Sequence, residues 1–295
     1  MDFTVDERDA GRALRDFLRG TLGVSHGLAA ALKRENGILA DGVPVTVRHI
    51  LRAGERITLR VEDTESAVLT PSDIPVRILY EDDTLLACDK PPYMPTHESH
   101  GHRGDALSNA LAGEFARRGV PFVFRAVNRL DADTSGVLLV AKNRFAAERF
   151  GALVRERRFE KTYIAFLSGV PEPESGIIES YIRRIGDSII LRASFPDGTP
   201  SEYAATRYEV VETVGQIAVV RCTPLTGRTH QLRVHFRSIG HPIVGDDLYG
   251  GGKAMPRQAL HAARVRFVHP FTGKETEISA PLPEDMRAFL ETKAL

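Results

Sequence analysis

In this chain of 295 residues, strand-like runs outnumber helical ones and do not alternate with them, and that order restricts the fold more than any other feature. From Val76 onward, VRILYEDDTLLACDKPP reads as two strands split by a Glu-Asp-Asp turn and closed by Pro91-Pro92. DALSNALAGEFARRG is a predicted helix, SGVLLVAKN a buried strand, and NRFAAERFGALVRERR a second helix with Phe145, Phe150 and Leu153 inward. KTYIAFLSG, IIESYI, SIILRAS, EYAATRYEVVE and QIAVVRCTPL follow as strands, and THQLRVHFRSIG as a helix stopped by Gly240. Steady alternation of strand and helix would have meant a parallel sheet. Its absence predicts an α+β fold, with a mixed and mainly antiparallel central sheet flanked by helices and loops.

The first 63 residues have a different texture. GRALRDFLRGTLG (11–23) sets Leu14, Phe17, Leu18 and Leu22 at helical spacing before Gly23, and Ser25 can cap a second helix ending at Asn36-Gly37. ILADGVPV reads as a hairpin around Asp41-Gly42, and Ile57, Leu59 and Val61 alternate as in a strand. Two short helices and a few strands make a compact module, residues 1–63. A polar stretch with two prolines and no clear period suits a linker, 64–75, ahead of a larger domain, 76–295.

Composition excludes some classes and leaves others open. No apolar run reaches the roughly 18 residues of a membrane span, and the first residues are too charged for a secretory signal. The two cysteines, Cys88 and Cys222, lie in apolar stretches and read as buried free thiols, so a cytoplasmic protein is expected. Lys plus Arg (39) equals Asp plus Glu (39), so no global basic excess points to nucleic acid. A neutral total can still hide a basic face.

The segment AVNRLDADTSGVLLVAKN (126–143) carries the chemistry. Asp131 stands in a polar loop directly before a strongly apolar strand, with Thr134, Ser135 and Gly136 allowing a tight turn. A rigid strand therefore holds a carboxylate at its mouth. Asp131 and Asp133 could equally solvate a loop or bind a metal, but no accompanying ligand cluster supports a metal. His97, His100 and His102 suggest zinc, yet no Cys or carboxylate set completes such a site. No metal and no cofactor are expected.

VNRLDADTSGVLLVAKN closely resembles the motif of the RluA pseudouridine synthases, H-R-L-D-x-x-T-S-G-L-L-L-x-A-K. Three further segments resemble that family in its own order: KPPYMPTH (90–97), RRFEKTYIAFLSG (157–169) and TGRTHQLRVHFRSIGHPIVGDDLYG (226–250). Together they span about residues 76–280, which makes the set far more specific than a lone pattern. The first 63 residues resemble, more weakly, the S-four type of RNA-binding module that commonly precedes this catalytic domain.

The resemblance implies an isomerase that converts uridine to pseudouridine in structured RNA, with ribosomal RNA favoured over transfer RNA, and a monomer. Asp131 is implied as the catalytic carboxylate, a nucleophile on the uridine or its sugar, or a base there. Tyr163 is placed to stack on the base or to take the proton from its carbon 5. Lys161, two residues earlier, shares its face of the strand. Arg233 is the candidate to pair with Asp131 and keep it ionised, with Arg228 as the alternative or a phosphate ligand. Arg129 would fill the space of the flipped base, and Leu232 would pack against the uracil. Two departures stand out: Asn128 replaces the usual His before Arg129, and Pro92-Tyr93 replaces a small residue and Gly. The competing reading is a non-catalytic RNA-binding protein that keeps the fold.

Overall fold

The computed structural model describes residues 1–62, 69–99, 103–188 and 190–294. The N-terminal part contains β1 (Asp2–Thr4), a helical turn α1 (Leu14–Asp16) running into a π-helical turn at Phe17–Thr21, α2 (His26–Arg34), β2 (Ile38–Ala40), β3 (Val43–Pro44) and β4 (Arg56–Leu59). Its four strands form an antiparallel sheet in the order β1-β4-β2-β3. Ser25 caps α2 by accepting from the Leu28 amide, as its sequence position predicts. The helix predicted over 11–23 is shorter than expected. The amides of Leu14 and Arg15 bond to the carbonyls of His49 and Val47, so its first turn is spent on tertiary contacts while Leu14, Phe17 and Leu18 still become buried.

The larger part runs β5 (Arg77–Glu81), β6 (Leu85–Lys90), α3 (Leu107–Arg117), β7 (Ser135–Ala141), α4 (Arg144–Arg155), β8 (Phe159–Ser168), β9 (Ser175–Arg184), β10 (Arg192–Phe195), β11 (Tyr203–Val214), β12 (Ile217–Pro224), α5 (Gln231–Ser238), β13 (Leu260–Val268), β14 (Glu275–Ser279) and α6 (Glu284–Ala294). Ten strands make one sheet, β10-β9-β11-β12-β8-β13-β7-β6-β5, with β14 added to β13. Among the described residues every strand pair in this sheet is antiparallel except β13 with β7, so the fold is α+β as the element order implied.

β7 lies at the centre of this construction. Leu138 and Val140 enter a core shared with Leu107 and Leu111 of α3, while Val137, Leu139 and Ala141 enter another with Phe150 and Leu153 of α4. A strand covered on both faces must be apolar throughout, which explains the run SGVLLVA. Gly136 does not supply the tight turn expected of it. It belongs to β7 at φ +112°, and a Cβ there would stand 2.2 Å from the Ala262 carbonyl oxygen of β13. The glycine is needed for the close approach of the one parallel pair.

The N-terminal core is completed from outside. Phe145 of α4 packs among Val5, Leu14, Phe17 and Leu59, with Phe3 and Phe271 at its edge. Glu148 accepts from the Ser25 hydroxyl at 2.6 Å, and Arg144 pairs with Glu35. The later half of the expected linker is also pinned, because the Asn109 side chain donates to Thr70 O at 2.7 Å and Ser72 N donates to Asn109 O.

Candidate active site

Asp131 begins a β-turn, with the Thr134 amide donating to its carbonyl at 3.1 Å, immediately before β7 starts. Each carbonyl of this loop is claimed by a different part of the chain. The Thr96 hydroxyl takes Leu130 O at 3.0 Å, and Lys90 Nζ takes Ala132 O at 2.7 Å with the Met94 amide also on it. Arg257 takes Asp133 O at 3.0 Å while its other nitrogens grip Asp285 of α6. A loop with its carbonyl acceptors fixed holds the Asp131 carboxylate in place before substrate arrives.

Lys90 is fully buried and donates to three carbonyls, Pro91 O, Met94 O and Ala132 O, which uses every hydrogen of an ammonium group. Burial pushes this lysine down to about 7, against the charges of Asp133 and Asp131. The Pro92-Tyr93 departure finds its account in the same loop. Tyr93 adopts the left-handed conformation, φ +61°, that a glycine would take without strain. Asn128 has a structural part: it accepts from the Leu139 amide at 2.8 Å and donates to Val137 O, joining the Asp131 loop to β7.

Behind Asp131 stands a buried ion pair. Arg233 of α5 donates Nε and Nη2 to the two oxygens of Asp246 at 2.7 and 2.8 Å, and Nη1 to Asp131 Oδ2 at 3.2 Å. The fork on Asp246 fixes the guanidinium plane, and Tyr249 lies 4.9 Å beneath it. His230 Nε2 is 3.9 Å from Asp131 Oδ2, and its Nδ1 is 2.8 Å from the Tyr249 hydroxyl. Burial keeps this imidazole below its ordinary range, so it is neutral at pH 7.

Tyr163 of β8 is almost completely buried, and its hydroxyl has no hydrogen-bond partner among the described residues. Burial and the charge of Asp131 raise its pKa far above that of an ordinary phenol. Leu232 packs in the same core as Tyr163. Arg129 is exposed beside the loop, close enough to His97 to help burial keep that ring neutral.

Asp131, Tyr163 and Arg233 therefore meet. Lys161 and Arg228 do not reach Asp131; they line a neighbouring groove, where Arg228 donates to Tyr203 O at 3.1 Å. Sequence reasoning missed Lys90, His230, Asp246, Tyr249 and Arg257. The first four stand in motif segments already singled out, and chemistry-bearing residues inside such segments were the available signal. Arg257 carried none. His97 stacks edge-on to Phe124, while His100 and His102 lie outside the described residues.

Comparisons with known proteins point to one family. A family model described as RNA pseudouridylate synthase matches residues 84–238. An uncharacterized RNA pseudouridine synthase of Bacillus subtilis (strain 168) is 36% identical over 92% of this chain and 96% of its own length. The ribosomal large subunit pseudouridine synthase C of Escherichia coli (strain K12) is 34% identical, covering 98% of this chain and 94% of that protein. The solved structure of human RNA pseudouridylate synthase domain containing 1 is 30% identical with a TM-score of 0.59, over 73% of this chain and 87% of that one.

Proposed function

This chain belongs to the RNA pseudouridylate synthase family, isomerases acting on RNA, and from that premise we propose that it modifies uridine in ribosomal RNA with Asp131 as its catalytic carboxylate. The observation that carries the role of Asp131 is its fixed loop backed by the Arg233–Asp246 pair. The choice of ribosomal RNA rests on the large-subunit synthases among the relatives. The N-terminal module is proposed to bind RNA as well, on its likeness to the S-four type.

In the proposed reaction a uridine leaves the RNA stack and enters the site, and Arg129 fills the vacated space. Asp131 acts first, at the sugar or at the uracil ring, and the bond between N1 and the sugar breaks. The uracil rotates between Tyr163 and Leu232, carbon 5 joins the sugar, and Asp131 is released as its carboxylate, giving up the bond it formed or returning the proton it took. Carbon 5 then loses its proton while N1 gains one, so the product is an isomer and no electrons are exchanged.

Burial and the negative charge of Asp131 make a phenolate at Tyr163 costly in the resting site. Whether Asp131 forms a bond or takes a proton, that charge is consumed in the first step. Loss of that charge makes a Tyr163 phenolate less costly until Asp131 is released, while burial, the larger effect, still opposes it.

Asp131→Asn tests the assignment. An amide oxygen still accepts from Arg233 Nη1, so folding and RNA binding should be retained while pseudouridine formation becomes undetectable. Product formed by the purified variant would sink the role of Asp131. Mapping pseudouridines in ribosomal and transfer RNA from cells with and without the protein identifies the substrate.

A further inference from the structure

Beside the site lies a groove of about 940 Å3, floored by the ends of β8, β12 and β13 and walled by the end of α4 and by Arg207 of β11. Seven cations line it against two carboxylates, Glu160 and Glu275, and Glu275 is taken by Arg266 at 2.7 Å. Elsewhere in this neutral chain arginines are commonly paired with acids. Here Arg155, Arg157, Lys161 and Arg207 have no carboxylate within ion-pair reach among the described residues. Unpaired cations gathered on one concave surface repel each other, and the arrangement is favourable once a polyanion lies there.

Arg157 adds an independent observation. The helix α4 ends in a Schellman motif, with the Arg158 amide on Leu153 O at 2.9 Å and the Arg157 amide on Val154 O at 3.2 Å. The residue in the left-handed position of that motif is Arg157, at φ +57°, where glycine is the unstrained choice. Strain kept at one residue points to a use for its side chain, and this side chain lines the groove.

The groove continues into the site along the chain. Lys161 precedes Tyr163 by two residues of β8, and the Leu225–Arg228 segment of its wall leads directly to His230. Its α4 wall belongs to the helix whose other end carries Phe145 into the N-terminal core. We propose that this groove binds the phosphates of the single strand flanking the target uridine, with Arg157 and Arg207 as its anchoring cations. This rests on the RNA-modifying reading above and adds a place and a polarity to it: the flanking strand leaves the site toward the end of α4.

The test uses the full chain, Arg157→Gly and Arg207→Ala, each titrated with a fluorescein-labelled, 20-nucleotide single-stranded RNA containing uridine over a series of salt concentrations. Each variant should bind about fivefold to tenfold more weakly at low salt, and its plot of log K against log salt should be shallower by roughly 0.7, the share of one phosphate on a single strand. Arg157→Gly should melt about 1–3 °C higher than wild type, because relief of backbone strain stabilises. A variant that is stabilised and yet binds RNA less well cannot owe its defect to misfolding. Unchanged slopes in both variants overturn the proposal, as does an Arg157→Gly protein that melts lower. Pseudouridine is assayed separately. Altered slopes support the groove even if wild type isomerises nothing, and unchanged slopes overturn it even if pseudouridine is formed.

Discussion

Among the described residues five other than glycine hold a left-handed backbone, and two of them, Asn36 and Asp41, are of types that tolerate it in turns. The other three, Tyr93, Arg157 and His230, stand in the loop gripping Ala132, in the basic groove and next to Asp131. Strain is thus concentrated where chemistry is proposed, while the supporting strands avoid it. Tyr163 permits a sharper trial, since stacking needs the ring and proton removal needs the oxygen. Tyr163→Phe should bind RNA normally and release about a hundredfold less pseudouridine, the usual scale for a lost general base. On RNA carrying 5-fluorouridine, which has no carbon-5 proton to lose, wild type and variant should react at similar rates. Equal slowing on both substrates would leave Tyr163 a positioning residue. Asp131, Tyr163 and Arg233 were legible because each sits in a motif beside residues that fix its surroundings. Asp246 was not legible as Arg233's partner, since 13 residues of separation and a turn bring them together and spacing alone does not encode that.

At the scale of elements, β7 shows how much of a fold a local pattern reveals. Its apolar run announced a buried strand, and the hairpin at Asp41-Gly42 and the Ser25 cap of α2 were equally plain. The partner of β7 was not. β13 lies 125 residues further on and pairs with β7 at only His261 and Ala262, so no local signal marks this parallel pairing. Gly136 is the residue that makes that contact possible. Gly136→Ala sets a methyl group against backbone rather than a movable side chain, in a conformation that alanine resists. The variant should be destabilised by more than about 1 kcal/mol and should lose activity with it, because Asp131 is five residues upstream on the same rigid support. Denaturant unfolding measures the first effect. Wild-type stability with full activity would mean that β13 can retreat from β7 without moving the Asp131 loop.

The whole molecule balances 39 basic against 39 acidic residues, so its response to pH comes from placement rather than from net charge. Among the described residues two deeply buried imidazoles matter most. Burial pushes both His235 and His261 down to about 4 from an ordinary 6.5. His261 is satisfied as a neutral ring between Ser135 Oγ and Ala280 O, and His235 faces Thr206 Oγ1 on one side only, its Nε2 having no partner. In the unfolded chain both rings take up a proton near pH 6.5, whereas in the fold they stay neutral until about pH 4. The unfolded state therefore binds more protons in that window, and acid favours it. Stability should be level above about pH 6.5 and fall steadily as pH drops toward 4, by about 2 kcal/mol per histidine at pH 5. Glu81 and Asp82, held below the ordinary carboxylate range by Lys142, Arg118 and the Tyr80 and Thr84 donors, lose their contribution only at lower pH. Melting temperatures at pH 7.5 and 5.0 separate the two sources. His235→Asn keeps a group near the position of Nδ1 and cannot take up the proton, so it should lose stability at neutral pH but show a smaller acid drop than wild type. An acid drop of equal size in that variant would remove His235 as a cause and leave the loss to groups nearer the surface.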